Sequence, residues 1–395
     1  MGDAVEFGRR PFLVERPAPE TGDALRVCPG ASLEHTFDRS DPALDHDLMP
    51  SWGPVLEVWE GHAAAGDLRR AGSSGGAASA LALFAIEQGG MAGVLHTAAR
   101  KGAPHLNETV YSTTRADLLA NTGSRYAPAS PCDSLGLIET APAPSVFIGK
   151  PCDVAAAQRA RRLRPALDEK LGLTIAFFCA GAPSTRGTLE LLRRVGVEDP
   201  ASLKSLRYRG DGWPGMWTAV WTDSAGEERT ARLSYAESWD FLQRYRQWRC
   251  YICPDHTGEF ADIAVGDPWY RPIEDGEPGK SLIVARTPRG RDFLHRAAAA
   301  GYITLETKDA SLLPRSQPNL LATRGGLWGR LVALRLLGAP TPRYIGFPMF
   351  RVWLRRLGLK QKTQSIAGTT KRIGRKRLRR RVDVREDDHT RSAAA

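Results

Sequence analysis

The chain has 395 residues, 42% hydrophobic and 25% charged, with a formal net charge of +11. Such a composition is that of an ordinary globular protein, with core material for two domains or one elaborate one. No apolar run approaches the roughly 18 residues of a membrane span, residues 1–16 show no secretory signal, and six cysteines in so long a chain exclude a disulfide framework.

Residues 1–50 read as a Pro-rich, irregular segment whose one feature is Cys28-Pro29-Gly30. Val55 to Trp59 alternates like a strand, and Ala71-Gly72-Ser73-Ser74-Gly75-Gly76 is a small-residue loop. Ala77 to Gln88 is apolar at helical spacing, and Gly93 to Thr97 reads as the next strand. Glycines at that helix start leave free N–H groups where the helix dipole favours an anion such as a phosphate. Thr114 to Leu119 predicts a short helix and Asn121 to Tyr126 a polar turn. Two apolar strands follow: Pro144 to Gly149 leads to Cys152, and Leu173 to Phe178 leads to Cys179, with helix over Asp153 to Arg164 between them.

Beyond about residue 200 the texture turns strand-like, over Leu206 to Arg209, Met216 to Thr222 and Glu228 to Ser234. Trp239 to Trp248 reads as an aromatic-rich helix leading into Cys250. Ala261 to Asp267 and Ser281 to Thr287 read as core strands, and Gly290 to Ala300 as a helix. From Leu327 the chain is amphipathic and basic, and Lys371 to Arg381 is almost purely so. The high net charge therefore describes one end of the chain more than its body, which argues against a nucleic-acid-binding fold.

Alternating apolar strands and helices predict an α/β fold: a mixed sheet with flanking helices, a strand-rich second part and a basic helical C-terminal extension. The expected division is an irregular segment over 1–50, an α/β part over 51–200, a part over 201–310 bearing the C-x-x-C pair, and the basic amphipathic extension with a disordered tail over 311–395. Cys152 and Cys179 each follow a strand, where ligands bind in such sheets. Cys250-Tyr251-Ile252-Cys253 has the spacing with which two thiolates grip one metal or one cluster edge, and no strand-then-helix start of a thioredoxin-type pair surrounds it. By count alone, four thiols from three segments suit an iron–sulfur cluster and a structural zinc equally. Cys28 and Cys132 have no partner at ligand spacing.

The order of these segments carries a resemblance. The Ala71–Gly76 loop, Gly123-Ser124-Arg125-Tyr126, Gly149-Lys150-Pro151-Cys152-Asp153, Phe178-Cys179, Arg207 to Gly215, Arg249-Cys250-x-x-Cys253-Pro254-Asp255, Ala261-Asp262-Ile263 with Gly266-Asp267, and Arg286-Thr287 succeed one another along the chain. Together they resemble the beta subunit of the coenzyme F-420 (F420) hydrogenase/dehydrogenase family, related to 7-hydroxymethyl chlorophyll a reductase. The likeness spans roughly residues 50–305.

What the resemblance implies is an iron–sulfur flavoprotein oxidoreductase carrying FAD and a [4Fe–4S] cluster. It would pass electrons between a one-electron donor and a hydride acceptor such as a deazaflavin (coenzyme F-420), a nicotinamide or an organic substrate. Its cluster ligands would be Cys152, Cys179, Cys250 and Cys253. Ser73, Ser74, Gly75 and Gly76, with Gly123, Ser124, Arg125 and Tyr126, would line the flavin, Arg125 by forking onto phosphate and Tyr126 by stacking or donating. Lys150 would pair with a flavin phosphate or a substrate carboxylate, against the plainer reading of a surface lysine. Many relatives begin with a ferredoxin-like C-x-x-C-x-x-C segment; only Cys28-Pro29 stands here, so a single cluster is expected.

Asp262 and Asp267 have no metal-ligand companions and read as capping or turn residues. His96 and His105 are the nearest proton-donor candidates, although a lone histidine is more often structural. The expected partners are a ferredoxin-like donor or a partner subunit and a small-molecule acceptor, in the cytoplasm. The basic end, with Phe350, Trp353 and Leu354 among arginines, fits contact with the inner membrane surface, a solvated tail, or, least well, nucleic acid. The competing reading is a non-catalytic accessory protein of the same fold, serving envelope polysaccharide synthesis at the membrane.

Overall fold

The computed structural model describes residues 2–6, 8–11, 22–274 and 276–380. The tail from Arg381 onward, and most of the N-terminal stretch before residue 22, lie outside them.

Eleven strands build two sheets. The larger one takes β1 (Glu57–Ala63), β2 (Val94–Arg100), β3 (Ala103–Ser112), β4 (Ser145–Gly149) and β5 (Leu171–Phe177) from the first half of the chain. The smaller one is made of β6 (Leu203–Arg207), β7 (Met216–Thr222) and β8 (Glu228–Ser234), in the order β8-β7-β6 and antiparallel throughout. The chain then returns to the first sheet with β9 (Ile263–Gly266), β10 (Ser281–Ala285) and β11 (Ile303–Thr307), giving the order β11-β1-β10-β9-β5-β4-β2-β3. Strands β9, β5, β4 and β2 are mutually parallel, whereas β3, β10 and β11 pair antiparallel. The sheet is therefore mixed, as the sequence predicts.

Its central strands are buried on both faces, which explains their unbroken apolar runs. Side chains alternate across the pleat: Val146 and Ile148 of β4 pack with helix α1 (Ala77–Glu87). Phe147 packs on the opposite face with Val154 and Ala157 of helix α3 (Pro151–Ala160). Each such side chain, fully buried, contributes about 1.5–3 kcal/mol. Helix α2 (Arg115–Ala120), with Thr114 as its capping-box residue, follows β3, α4 (Thr185–Arg194) follows β5, and α7 (Pro288–Ala299) follows β10.

Sequence patterns do not mark β3 and β11. Only three of the ten residues of β3 are buried, so neither a continuous apolar run nor a clean alternation distinguishes it. β11 is an edge strand with one buried residue, Ile303. The expected helix over Trp239–Trp248 is two: α5 (Tyr235–Gln243) and the short α6 (Trp248–Tyr251). The Ser234/Glu237 capping box sets its true start.

Residues 311–380 are mainly helical, as expected, with α8 (Leu320–Leu336), α9 (Met349–Arg356) and α10 (Leu359–Arg375) packed together. Part of the N-terminal segment is less irregular than its proline content suggests, because Ser32–Glu34 pairs in parallel with Arg343–Ile345. Leu33, Ile252, Leu327, Phe347, Met349 and Ile373 share one apolar core, so this extension is built onto the C-x-x-C segment. No helix of the described residues is long and apolar enough to cross a membrane.

Candidate functional site

β1, β9, β5 and β4 end at one edge of the large sheet, the edge where α/β proteins bind their ligands. A cavity of about 680 Å³ opens there, lined by Ser73, Ser74 and Gly76, by Gly123 to Tyr126, by Lys150, and by Cys179. Loops far apart in sequence thus meet around one space large enough for a cofactor.

Each wall has a local cause. Gly76 is the N-cap of α1 at φ +71°, a left-handed conformation that suits glycine. Gly75 is wedged into the sheet: a Cβ there would lie 2.7 Å from the Gly61 carbonyl oxygen and 2.8 Å from Lys280 Cα. Gly75 N–H donates to Ser281 Oγ at 2.9 Å, which fixes the loop on β10. The backbone N–H of Ser124 donates to Ser73 Oγ at 2.6 Å, joining the two expected flavin-lining segments directly. Gly75→Ala is accordingly expected to force backbone apart and to lower stability in urea denaturation; a midpoint equal to that of the unmodified protein would overturn this expectation.

Arg125 lines the cavity but serves chiefly as a staple. It donates to Asn107 Oδ1 (2.8 Å) and to the carbonyls of Leu206 (2.8 Å), Pro104 (2.5 Å) and Leu106 (3.2 Å). With four of about five donors engaged, it has no open fork for a phosphate. Tyr126 faces Trp239 at 4.8 Å between ring centroids and accepts from Arg209 at 3.3 Å.

The sequence does not single out Arg209, and it presents Asp267 as a turn residue. They form a bidentate ion pair, Nη1 and Nη2 each 2.8 Å from a carboxylate oxygen, and Trp213 Nε1 donates to the same carboxylate at 2.9 Å. The Arg209 guanidinium lies 4.5 Å from the Tyr235 ring, which stacks on Trp269 at 5.5 Å and 4°. Arg209, Tyr235, Trp239, Asp267 and Trp269 all line the cavity, giving it an aromatic wall. Asp262, by contrast, is structural: it accepts from Thr174, Thr287 and Arg289 beneath the sheet edge.

At the far end lie the thiols. Cys152 stands in the first turn of α3, Cys179 follows β5, and Cys250 and Cys253 flank the end of α6. The four form one electrostatic group: Cys152 acts on Cys253, Cys179 on Cys152, and Cys250 on both Cys179 and Cys253. Burial, then the neighbouring Asp153, pushes the Cys152 thiol up to about 12; burial, then Cys250, pushes Cys179 up to about 11. Two cations offset this cost. Burial works against the charge of Lys150, but Asp153 and Cys152 outweigh it and raise its pKa. Arg249 is held in the same way, with Cys152 and Cys250 outweighing burial.

Among the described residues no three His, Cys, Asp or Glu side chains converge closely enough for a single metal ion. Four thiols from three segments share this region, and their number suits an iron–sulfur cluster or a zinc equally. Cys132 lies beside the group: burial, then Asp153, and to a lesser degree Cys152, push its thiol up, and its Sγ donates to the Asp153 carbonyl at 3.2 Å.

The histidines redistribute. His96 lines the cavity, but its Nε2 is engaged with Ser112 Oγ at 2.8 Å and burial lowers its pKa to about 4. His105 is not part of the lining. His256, which no motif singles out, sits between cavity and thiols, with Nδ1 2.8 Å from the Cys179 carbonyl oxygen. Its Nε2 is buried with no hydrogen-bond partner. Nothing in the sequence marks it except its place three residues after Cys253.

Residues 58–135 match the family model for the N-terminal part of the coenzyme F420 hydrogenase/dehydrogenase beta subunit, and residues 145–311 match the model for its C-terminal part. Fold and matches together define the class, a redox subunit of α/β architecture. The chain belongs to the coenzyme F420 hydrogenase/dehydrogenase beta subunit family, as its motifs predict. Its fold is similar to a chain of the F420-reducing [NiFe] hydrogenase complex from Methanosarcina barkeri, solved as a xenon derivative. That likeness has a TM-score of 0.54 at 20% identity and covers 72% of this chain and 94% of the other. No curated protein matches in sequence.

Proposed function

We propose that this chain is an oxidoreductase subunit that holds FAD in the cavity and a [4Fe–4S] cluster on Cys152, Cys179, Cys250 and Cys253. The observation that carries this reading is the continuity of one space. The cavity runs from the glycine-rich start of α1, past the Gly123–Tyr126 turn, to Lys150 and Cys179. Bound there, the two groups would convert single electrons into the electron pair of a hydride, or the reverse.

The chain's own residues bind, orient and seal. The free N–H groups at the start of α1 face the cavity and suit a pyrophosphate. Lys150 and Arg249 balance the negative charge that thiolate ligands bring into a buried site. Tyr126, Tyr235, Trp239 and Trp269 shield one side from water, and His256 Nε2 offers a polar atom between cavity and thiols. A partner subunit or a small electron-carrier protein supplies or takes the single electrons; a small molecule takes or gives the hydride.

Anaerobic purification followed by a visible spectrum, with iron, sulfide and flavin quantified, tests the reading. About four irons and one FAD per chain are expected. A colourless protein with zinc or no metal would overturn it and leave the accessory-protein reading.

A further inference from the structure

Residues 310–380 contain 17 Lys and Arg and no Asp or Glu, whereas the other residues hold 38 Lys and Arg against 44 Asp and Glu. All but the first two of these residues lie beyond the family match, which ends at residue 311. Among the described residues no Lys or Arg from Arg330 to Arg380 is in an ion pair. A folded surface this positive repels itself, with no internal counter-charge.

The charge also has a particular address. The extension grips the C-x-x-C segment: Tyr344 Oη donates to the Ile252 carbonyl at 2.8 Å, Arg330 to that of Tyr251, and Arg324 to that of Pro254 at 3.1 Å. Tyr251, which stands between Cys250 and Cys253 in sequence, lies between two guanidinium groups, Arg246 at 4.1 Å and Arg372 at 5.1 Å from its ring centroid. Arg375 and Lys376 follow Arg372 at i+3 and i+4, on the same stripe, and Arg379 comes just after; all three are exposed. The densest unpaired positive charge among the described residues thus begins beside Tyr251, on the segment that carries Cys250 and Cys253.

We propose that this basic face around Tyr251 is the docking surface for an acidic electron-carrier protein. The inference rests on the redox reading above and names the chemistry of its one-electron partner. The net acidity of the rest of the chain would repel such a carrier elsewhere and steer it here. An anionic lipid surface is the weaker candidate, because Leu359, the most exposed apolar residue among those described, is remote from Arg372, and Ile345, next to Tyr344, is only 36% exposed. Phe350 is 51%, Leu354 50% and Leu359 81% exposed, and Leu359 is about 20 Å along α10 from Arg372.

The test is binding of the purified full chain to an acidic [2Fe–2S] ferredoxin, measured by calorimetry at several salt concentrations. Binding that weakens as salt rises is expected, as is at least about tenfold loss in the triple variant Arg375→Glu, Lys376→Glu, Arg379→Glu. The control Arg351→Glu, Arg355→Glu, Lys360→Glu reverses equal charge at the other end of the extension and is expected to lose far less. Equal losses in both variants, no binding, or capture by phosphatidylglycerol vesicles without ferredoxin binding would each overturn the proposal. Iron and flavin measured on the same samples separate the two readings. No docking by the unmodified chain when it holds its cofactors overturns the surface alone, whereas salt-dependent docking by a chain without iron supports the surface and removes the redox reading.

Discussion

With the cluster proposed above, replacing Cys253 by serine is expected to abolish iron–sulfur absorbance and leave the protein folded. Burial holds the Cys253 thiol far above its ordinary pKa, with Cys152 and Asp255 adding to the effect. A thiolate there needs the positive charge of a metal site to exist at all, so losing one ligand leaves three thiols with a weaker grip on the irons. The same loss is expected for Cys152→Ser, Cys179→Ser and Cys250→Ser, each read as iron per chain after anaerobic reconstitution. Two controls give the experiment its edge. Cys28 is exposed, and neither Cys28 nor Cys132 stands in the motif segments that supply the four, so serine at either is expected to leave iron unchanged. Full iron in Cys253→Ser, or iron lost on Cys28→Ser, would mean that the ligand set is wrong.

Those four cysteines stand out as candidates in the sequence because each belongs to a segment whose order along the chain is distinctive, and because two of them follow apolar strands. β4 and β5 are buried on both faces, so their composition alone gives them away. The sheet's outer strands are not legible: β3 and β11 lie at its two edges, half in water, where neither apolar runs nor alternation is demanded. The loops around the cavity are legible as places and less so as chemistry. Ser73 and Ser124 are expected near one flavin, and a direct hydrogen bond joins their segments. Arg125 reads from sequence as a phosphate fork, yet its donors are engaged by carbonyls that only tertiary folding brings to it. The pairing of Arg209 with Asp267 spans 58 residues and two sheets, a distance over which no local pattern operates. The docking of α8 to α10 on the C-x-x-C segment is equally non-local.

That buried pair carries the second large effect. Asp267→Asn is expected to cost about 3–5 kcal/mol of stability in urea denaturation, because it removes a charge and leaves its partner in place. Arg209 is 2% exposed, and both of its Nη groups point at Asp267. Asparagine retains one oxygen for the Trp213 indole N–H and Arg209 Nη2, but its amide nitrogen cannot accept from Arg209 Nη1, so one hydrogen bond is lost with the charge. The π faces of Tyr235 and Trp269, 4.5 and 5.7 Å from the guanidinium carbon, compensate only in part, by about 0.5–2 kcal/mol. If the uncompensated charge is the cause, the double variant Arg209→Met, Asp267→Asn should recover most of the loss, since a buried pair replaced as a whole is often neutral. A single variant within about 1 kcal/mol of the unmodified protein, or a double variant as damaged as the single, would refute the charge argument. Arg209 also sets the Tyr235–Trp269 stack that walls the cavity. Stability regained in the double variant without flavin regained would therefore show that the ion pair positions this wall as well as holding the fold.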